Sequence, residues 1–106
     1  MIKIIEIKKD NLITEFEISG HAGSGEYGQD IVCAGVSAVI VGVCNTIDQK
    51  GYSANCDIQI KSGYTKILVK KSNNDIQVIL ETLEYTLKGF LNEQYSDFVK
   101  YTLKEE

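Results

Sequence analysis

Residues 20–45 read GHAGSGEYGQDIVCAGVSAVIVGVCN, and the interpretation of the whole chain depends on this stretch. It contains the only histidine of the protein, His21, then a glycine-rich segment, and then an apolar run that carries Cys33. The length of the run, its cap and its stop signal favour a helix from about Asp30 to Gln49, apolar almost all round and therefore buried. A strand over residues 36–43 competes with this prediction, because valine, isoleucine and glycine are mediocre to poor helix formers.

Two side chains with the chemistry of a catalytic pair lie near the start of this helix, the thiol of Cys33 and the imidazole of His21. Asp30 is predicted to be the N-cap, which makes Cys33 the third helical residue, where the helix carries partial positive charge. A thiol in that position ionises more readily, and only the thiolate is a good nucleophile. His21 lies twelve residues before Cys33 and can serve as its base if the fold brings the two together.

Each of these residues also has a structural interpretation. Cys33 can be a small buried apolar residue, and His21 can be a structural histidine whose ring nitrogens have their hydrogen bonds satisfied. Asp30 either only caps the helix or also orients the imidazole of His21. Ser37 lies one turn after Cys33 on the same helix face, so it either lines a substrate groove or bonds back to the helix carbonyl of Cys33. Cys44 and Cys56 are predicted to be small buried apolar residues.

A metal site is not predicted. Its local ligands would be His21 and Cys33 with Asp30 or Glu26, and no tight Cys-x-x-Cys pair accompanies them.

The glycine-rich segment resembles a nucleotide-binding fingerprint only superficially. GSGEYG at residues 23–28 matches G-x-G-x-x-G, but Asp30 and Glu26 put negative charge where a pyrophosphate would lie. The chain is too short for a doubly wound sheet, and no Lys-Ser/Thr pair follows the glycines. We therefore expect no cofactor. The segment is instead predicted to be a flexible loop that opens and closes over substrate, made of Ser24, Gly25, Glu26, Tyr27, Gly28 and Gln29.

Length and composition indicate one ordinary globular domain over residues 1–106. The formal net charge of −4 and the pI near 5.0 argue against a broad nucleic-acid surface. The chain start lacks the pattern of a signal peptide, and the longest apolar run, residues 31–44, is too short to span a membrane. Three cysteines without a secretion signal predict reduced thiols in the cytoplasm.

The remaining chain alternates strand pairs with helices. The hydrophobic periodicity predicts strands at Ile2 to Lys8, Leu12 to Ser19, Cys56 to Ser62, Thr65 to Lys71 and Phe98 to Leu103, and a second helix at Asn74 to Gln94. The order β-β-α-β-β-α-β predicts an α+β fold, a two-layer sandwich of one mixed or antiparallel sheet of about five strands with both helices on one face.

One part of the sequence is similar to a known family. Gly20-His21, followed by Gly-Gln-Asp-Ile-Val-Cys-Ala-Gly-Val-Ser at residues 28–37, resembles the ribosomal-processing cysteine protease family, Prp. The resemblance implies a cytoplasmic bacterial endopeptidase with a dyad of Cys33 and His21, assisted by Asp30 and Ser37. It also implies a two-layer α/β fold and a homodimer. The implied substrate is the short N-terminal extension of a large-subunit ribosomal protein.

Two other functions remain open from the residues alone. The first is a non-catalytic module that binds a ribosomal protein or assists assembly, and the second is a small metal-binding protein. Preferential labelling of Cys33 by iodoacetamide distinguishes an enzyme from the non-catalytic binding module. Loss of the fold on addition of a chelator identifies the metal-binding protein.

Overall fold

The computed structural model describes residues 1–20 and 27–106, with residues 27–30 described by their backbone only. The strands are β1 (Ile2–Lys9), β2 (Leu12–Ser19), β3 (Cys56–Lys61), β4 (Tyr64–Val69) and β5 (Val99–Glu105). The helices are α1 (Tyr27–Gln49) and α2 (Asn74–Thr86), and α2 continues into a π-helical turn at Leu87–Asn92. A short 3-10 turn, Ser53–Asn55, precedes β3.

The five strands form one mixed sheet in the order β3-β4-β2-β1-β5. The pair β1 and β5 is parallel, whereas the other neighbouring pairs are antiparallel. Both helices cover one face of this sheet, and the core lies between the two layers. The predicted α+β sandwich is therefore confirmed. The core residues are Ile2, Ile4, Ile13, Phe16, Ile18, Val32, Val36, Ile40, Val43, Ile47, Cys56, Ile67, Ile76, Leu80, Leu83, Leu87, Leu91 and Val99.

A bulge in β2 changes which residues face the core. Ile7 pairs with Glu15 and Lys8 pairs with Ile13, so Thr14 is an extra residue in β2. Its hydroxyl donates to the carbonyl of Ile7 at 3.1 Å. Strict alternation along β2 predicts that Leu12 lies on the same face as Phe16. That prediction was wrong, because beyond the bulge Ile13 is buried and Leu12 is exposed.

α1 differs from its prediction at its start and in its burial. It begins at Tyr27 rather than at Asp30, and it is buried along one face only, since Ile31 and Val41 are 50% and 53% exposed. By length and composition alone the segment Ile31–Gln49 could cross a membrane. In the fold, however, it serves as a core helix, because its inner face packs in the hydrophobic core.

α2 carries two departures from the predicted helical pattern. Helical spacing predicts that Phe90 lies on the apolar face with Leu83 and Leu87, but Phe90 is 53% exposed. It lies in the π-helical turn, where the change in helical period rotates the side chains that follow. The same spacing predicts that Gln77 lies on the side of α2 that faces away from the core, but its side chain hydrogen-bonds to β2. The Ile13 N–H donates to Gln77 Oε1 at 2.8 Å, and Gln77 Nε2 donates to the Ile13 carbonyl at 2.9 Å.

A polar cluster lies between β1, β5 and α2, with Glu6 and Glu84 buried and Lys8 and Tyr101 half-buried. Tyr101 donates its hydroxyl to Glu6 Oε1 at 2.7 Å, and Lys8 Nζ lies 2.9 Å from Glu84 Oε2. Glu6 Oε2 is buried and accepts from no donor in the described part of the chain. The carboxyls of Glu6 and Glu84 interact, so a proton held between them is the donor that Oε2 requires.

The pKa values in this polar cluster follow from that arrangement. Burial raises the pKa of Glu6 from 4.5 to about 7, and the adjacent Glu84 adds to the shift. Burial opposes ionisation of Glu84, but its hydrogen bonds with Glu6 and Lys8 outweigh burial and lower its pKa.

Candidate active site

A cleft of about 290 Å³ lies between α1 and one end of the sheet. At this end β1 begins, β2 ends, and β3 turns into β4. The α1 wall consists of Cys33, Val36, Ser37, Ile40 and Val41. The sheet wall consists of Ile2, Ile18, Gly20, Ile60, Lys61, Ser62, Gly63, Tyr64 and Thr65. The apolar character of most of these residues suits a peptide with apolar side chains.

Cys33 is half-buried in the wall of this cleft, packed against the edge of the hydrophobic core. It occupies the second turn of α1, because the helix begins at Tyr27. The prediction that Asp30 is the N-cap and Cys33 the third helical residue was therefore wrong: Asp30 is the fourth residue of the helix and Cys33 the seventh. The effect of the helix dipole falls off within the first turn, so it acts less on Cys33 than the sequence predicted.

Ser37 lines the same cleft one turn after Cys33 and is exposed. A hydroxyl in this position can contact a peptide that reaches the Cys33 thiol.

Gly20, the residue immediately before His21, is held in position by its neighbours. Its N–H donates to the carbonyl of Gly63 at 3.0 Å, which ties the end of β2 to the β3–β4 turn. Its φ of +102° is in the region that favours glycine, and a Cβ here would collide with the Met1 carbonyl oxygen. Gly20 is thus held between two strands at the rim of the cleft.

The other predicted site residues divide between two regions. His21 lies outside the described residues, as do Ser24, Gly25 and Glu26 of the predicted flexible loop. Tyr27, Gly28 and Gln29 were also assigned to that loop, and this was wrong, because they form the first turn of α1.

The two remaining cysteines are not in the cleft. Cys56 is buried in the core and Cys44 is half-buried against it. Burial raises the pKa of both thiols, and the Cys56 thiol adds to the shift at Cys44. Both are therefore held in the protonated form, which is a poor nucleophile. In the part of the chain that the structure describes, no three His, Cys, Asp or Glu side chains form a metal-binding group.

The sheet wall of the cleft is not predictable from the sequence. Ile60 and Thr65 line the same cleft as Cys33 only because β4 pairs with β2, a long-range pairing that strand periodicity does not reveal. The turn at Gly63 was visible in the sequence, but its bond to Gly20 was not.

Comparisons with known proteins agree on one family. The family model described as cysteine protease Prp matches residues 1–100. The ribosomal processing cysteine protease Prp of Staphylococcus aureus (strain NCTC 8325 / PS 47) is 33% identical over 102 residues, covering 94% of this chain and 95% of the relative. The protein of the same name from Bacillus subtilis (strain 168) is 33% identical over 99 residues, covering 88% of each.

Solved structures show the same fold. SMU.848 from Streptococcus mutans superimposes with a TM-score of 0.85 at 30% identity, covering 100% of this chain and 96% of that one. The essential ribosomal processing protease Prp from S. aureus, in complex with a substrate peptide, also gives a TM-score of 0.85, at 35% identity and covering 98% and 100%. The same protease with a covalently linked product peptide gives 0.83 at 35% identity, again covering 98% and 100%.

Proposed function

Because the chain belongs to the Prp family of cysteine proteases, we propose that it removes the short N-terminal extension of a large-subunit ribosomal protein, in the cytoplasm, with Cys33 as nucleophile and His21 as its base. The observation that carries this proposal is the position of Cys33 in the wall of a mostly apolar cleft, which is lined by neither Cys44 nor Cys56. The S. aureus relative, which binds a substrate peptide and a covalently linked product peptide, supports it.

The proposed reaction is peptide-bond hydrolysis through an acyl-enzyme. His21 takes the proton of the Cys33 thiol, and the sulfur attacks the scissile carbonyl carbon. The tetrahedral intermediate collapses, the C–N bond breaks, and the protonated imidazole gives its proton to the leaving amine. Water, activated by the same imidazole, then hydrolyses the thioester and restores the thiol. Backbone N–H groups near Cys33 are the proposed donors to the oxyanion.

The supporting roles of Asp30 and Ser37 belong to this proposal. Ser37 lines the cleft beside Cys33, where it can contact the substrate. Asp30, in the first turn of α1, is proposed to orient the His21 imidazole.

The decisive experiment uses an extension-bearing ribosomal protein as substrate. Wild type, Cys33→Ala and the matched variant Cys44→Ala are incubated with it, and the products are identified by mass spectrometry. We expect wild type and Cys44→Ala to remove the extension and Cys33→Ala to leave it intact. An uncut substrate with wild type, or cleavage by Cys33→Ala, contradicts the proposal.

A homodimer is proposed as the assembled form. Val78 and Tyr85 lie two turns apart on α2 and are 54% and 62% exposed, so this face of α2 is the proposed contact surface. Sedimentation of the wild type measures the state directly, and a monomer at micromolar concentration contradicts this part of the proposal.

A further inference from the structure

The cleft that contains Cys33 is continuous with an open strand edge. Among the described residues, β3 pairs with β4 on one side and with no strand on the other. Ile60 and Lys61, the last two residues of β3, line the cleft together with Cys33. An edge strand presents backbone N–H and C=O groups with which a second extended chain can pair.

α1 follows this open edge along its length. At one end, Val41 of α1 and Ile60 of β3 line the same cleft. At the other end, Cys44 of α1 packs against the core cluster that contains Cys56, the first residue of β3. A chain added to the edge of β3 therefore lies beside α1.

The side chains at the open edge suit an extended peptide. Ile60 and Val41 are 57% and 53% exposed, although both are branched apolar residues. Successive side chains of an extended peptide point to opposite faces, so every second one points toward α1 and these two residues. The intervening side chains lie on the face of Asp57, Gln59 and Lys61, which are exposed and polar.

We propose that the substrate pairs with the open edge of β3 as a sixth strand, and that this pairing leads an extended segment with alternating apolar side chains to Cys33. The inference rests on the proposed protease function and adds how the peptide is held. Main-chain pairing supplies affinity, while the apolar contacts at every second residue set the register of the peptide.

The first test leaves the protein unchanged. A synthetic ten-residue peptide spanning the cut site is prepared with a single N-methyl group at each position in turn, and kcat/KM is measured. In a paired strand only alternate residues point their N–H toward the neighbour. We expect losses of about tenfold at every second position and little change between them. A flat profile, or losses confined to the residues flanking the cut, overturns the inference.

The second test uses the other sheet edge as a control. Hydrogen exchange of Cys33→Ala is followed with and without the same peptide, because this variant leaves the peptide intact. We expect exchange to slow in β3 but not in β5, the strand at the opposite edge of the sheet. No slowing in β3, or equal slowing in both strands, overturns the inference. Failure of the proposed function is recognised separately, since the unmodified peptide then remains uncut by wild type.

Discussion

Glu6 makes the stability of the fold depend on pH. Its pKa of about 7 in the folded protein lies above its ordinary value of 4.5, so the folded protein holds a proton that the unfolded chain has lost between these pH values. The stability from Glu6 is complete below about pH 4.5 and is lost as the pH rises through about 7. Such a shift corresponds to on the order of 3 kcal/mol. The lowered pKa of Glu84 acts in the opposite direction, at more acidic pH.

Glu6→Gln is expected to remove this pH dependence. The amide of the variant donates to Glu84 and accepts from Tyr101, so it needs no shared proton. Its free energy of unfolding should therefore be nearly constant from pH 5 to about pH 8. Over the same pH range the wild type should lose about 2 kcal/mol. Urea unfolding at a series of pH values measures both curves. In the control Tyr101→Phe, loss of a hydrogen bond that lowers the pKa of Glu6 should move the decline to higher pH. A Glu6→Gln curve parallel to that of the wild type contradicts the shared proton.

Gly20 tolerates no side chain, whereas two other glycines provide graded controls. Gly20→Ala combines a φ of +102° with a collision at the Met1 carbonyl and should cost more than about 2 kcal/mol of stability. Gly51→Ala has a φ of +84° but open space, and should cost about 1 kcal/mol. Gly42→Ala, inside α1 and also in open space, should stabilise by about 0.5–1 kcal/mol. Thermal unfolding ranks the three variants, and equal effects of Gly20→Ala and Gly51→Ala contradict the collision.

At the scale of elements, Gln77 fastens α2 to the bulged strand β2. Its side chain makes the two bonds with the main chain of Ile13 that a neighbouring strand would make. Gln77→Ala leaves both backbone groups without these partners, so we expect a loss of about 2 kcal/mol in urea unfolding. Thr82→Ala is the matched control, because Thr82 is an exposed residue of α2 whose hydroxyl donates to a carbonyl of its own helix, and alanine is the better helix former. Comparable losses in the two variants would show that the bonds to Ile13 contribute nothing.

Sequence patterns predicted the elements better than their irregularities. The bounds of β2, the last residue of α1 and the first residue of α2 follow from periodicity and from cap and stop signals, because those features are local. The bulge at Thr14 and the π-helical turn shift the period by one residue, and Leu12 and Phe90 were misplaced for that reason. The start of α1 was misplaced because Asp30 has the chemistry of a cap, although three helical residues precede it.

At the scale of the whole molecule, periodicity shows which face of a strand is buried but not which strand is its neighbour. The single layer of helices was predictable from the order of elements, whereas the parallel pairing of β1 with β5 was not. The same limit applies to the cleft. Cys33 and Ser37 share a helix face and were assigned together, but the opposite wall at Ile60 required the tertiary arrangement.

The parallel pairing of β1 with β5 has a consequence for how the chain folds during translation. β5 comprises residues 99–105, and it pairs with β1 through seven partners from Ile2 to Lys8. The ribosome synthesises β1 almost a hundred residues before β5. Until β5 has been made, one edge of β1 is unpaired and Glu6 lacks its hydrogen bond from the Tyr101 hydroxyl. Prematurely terminated products that stop before Val99 should therefore self-associate or be degraded, which pulse-labelling of stalled chains would reveal.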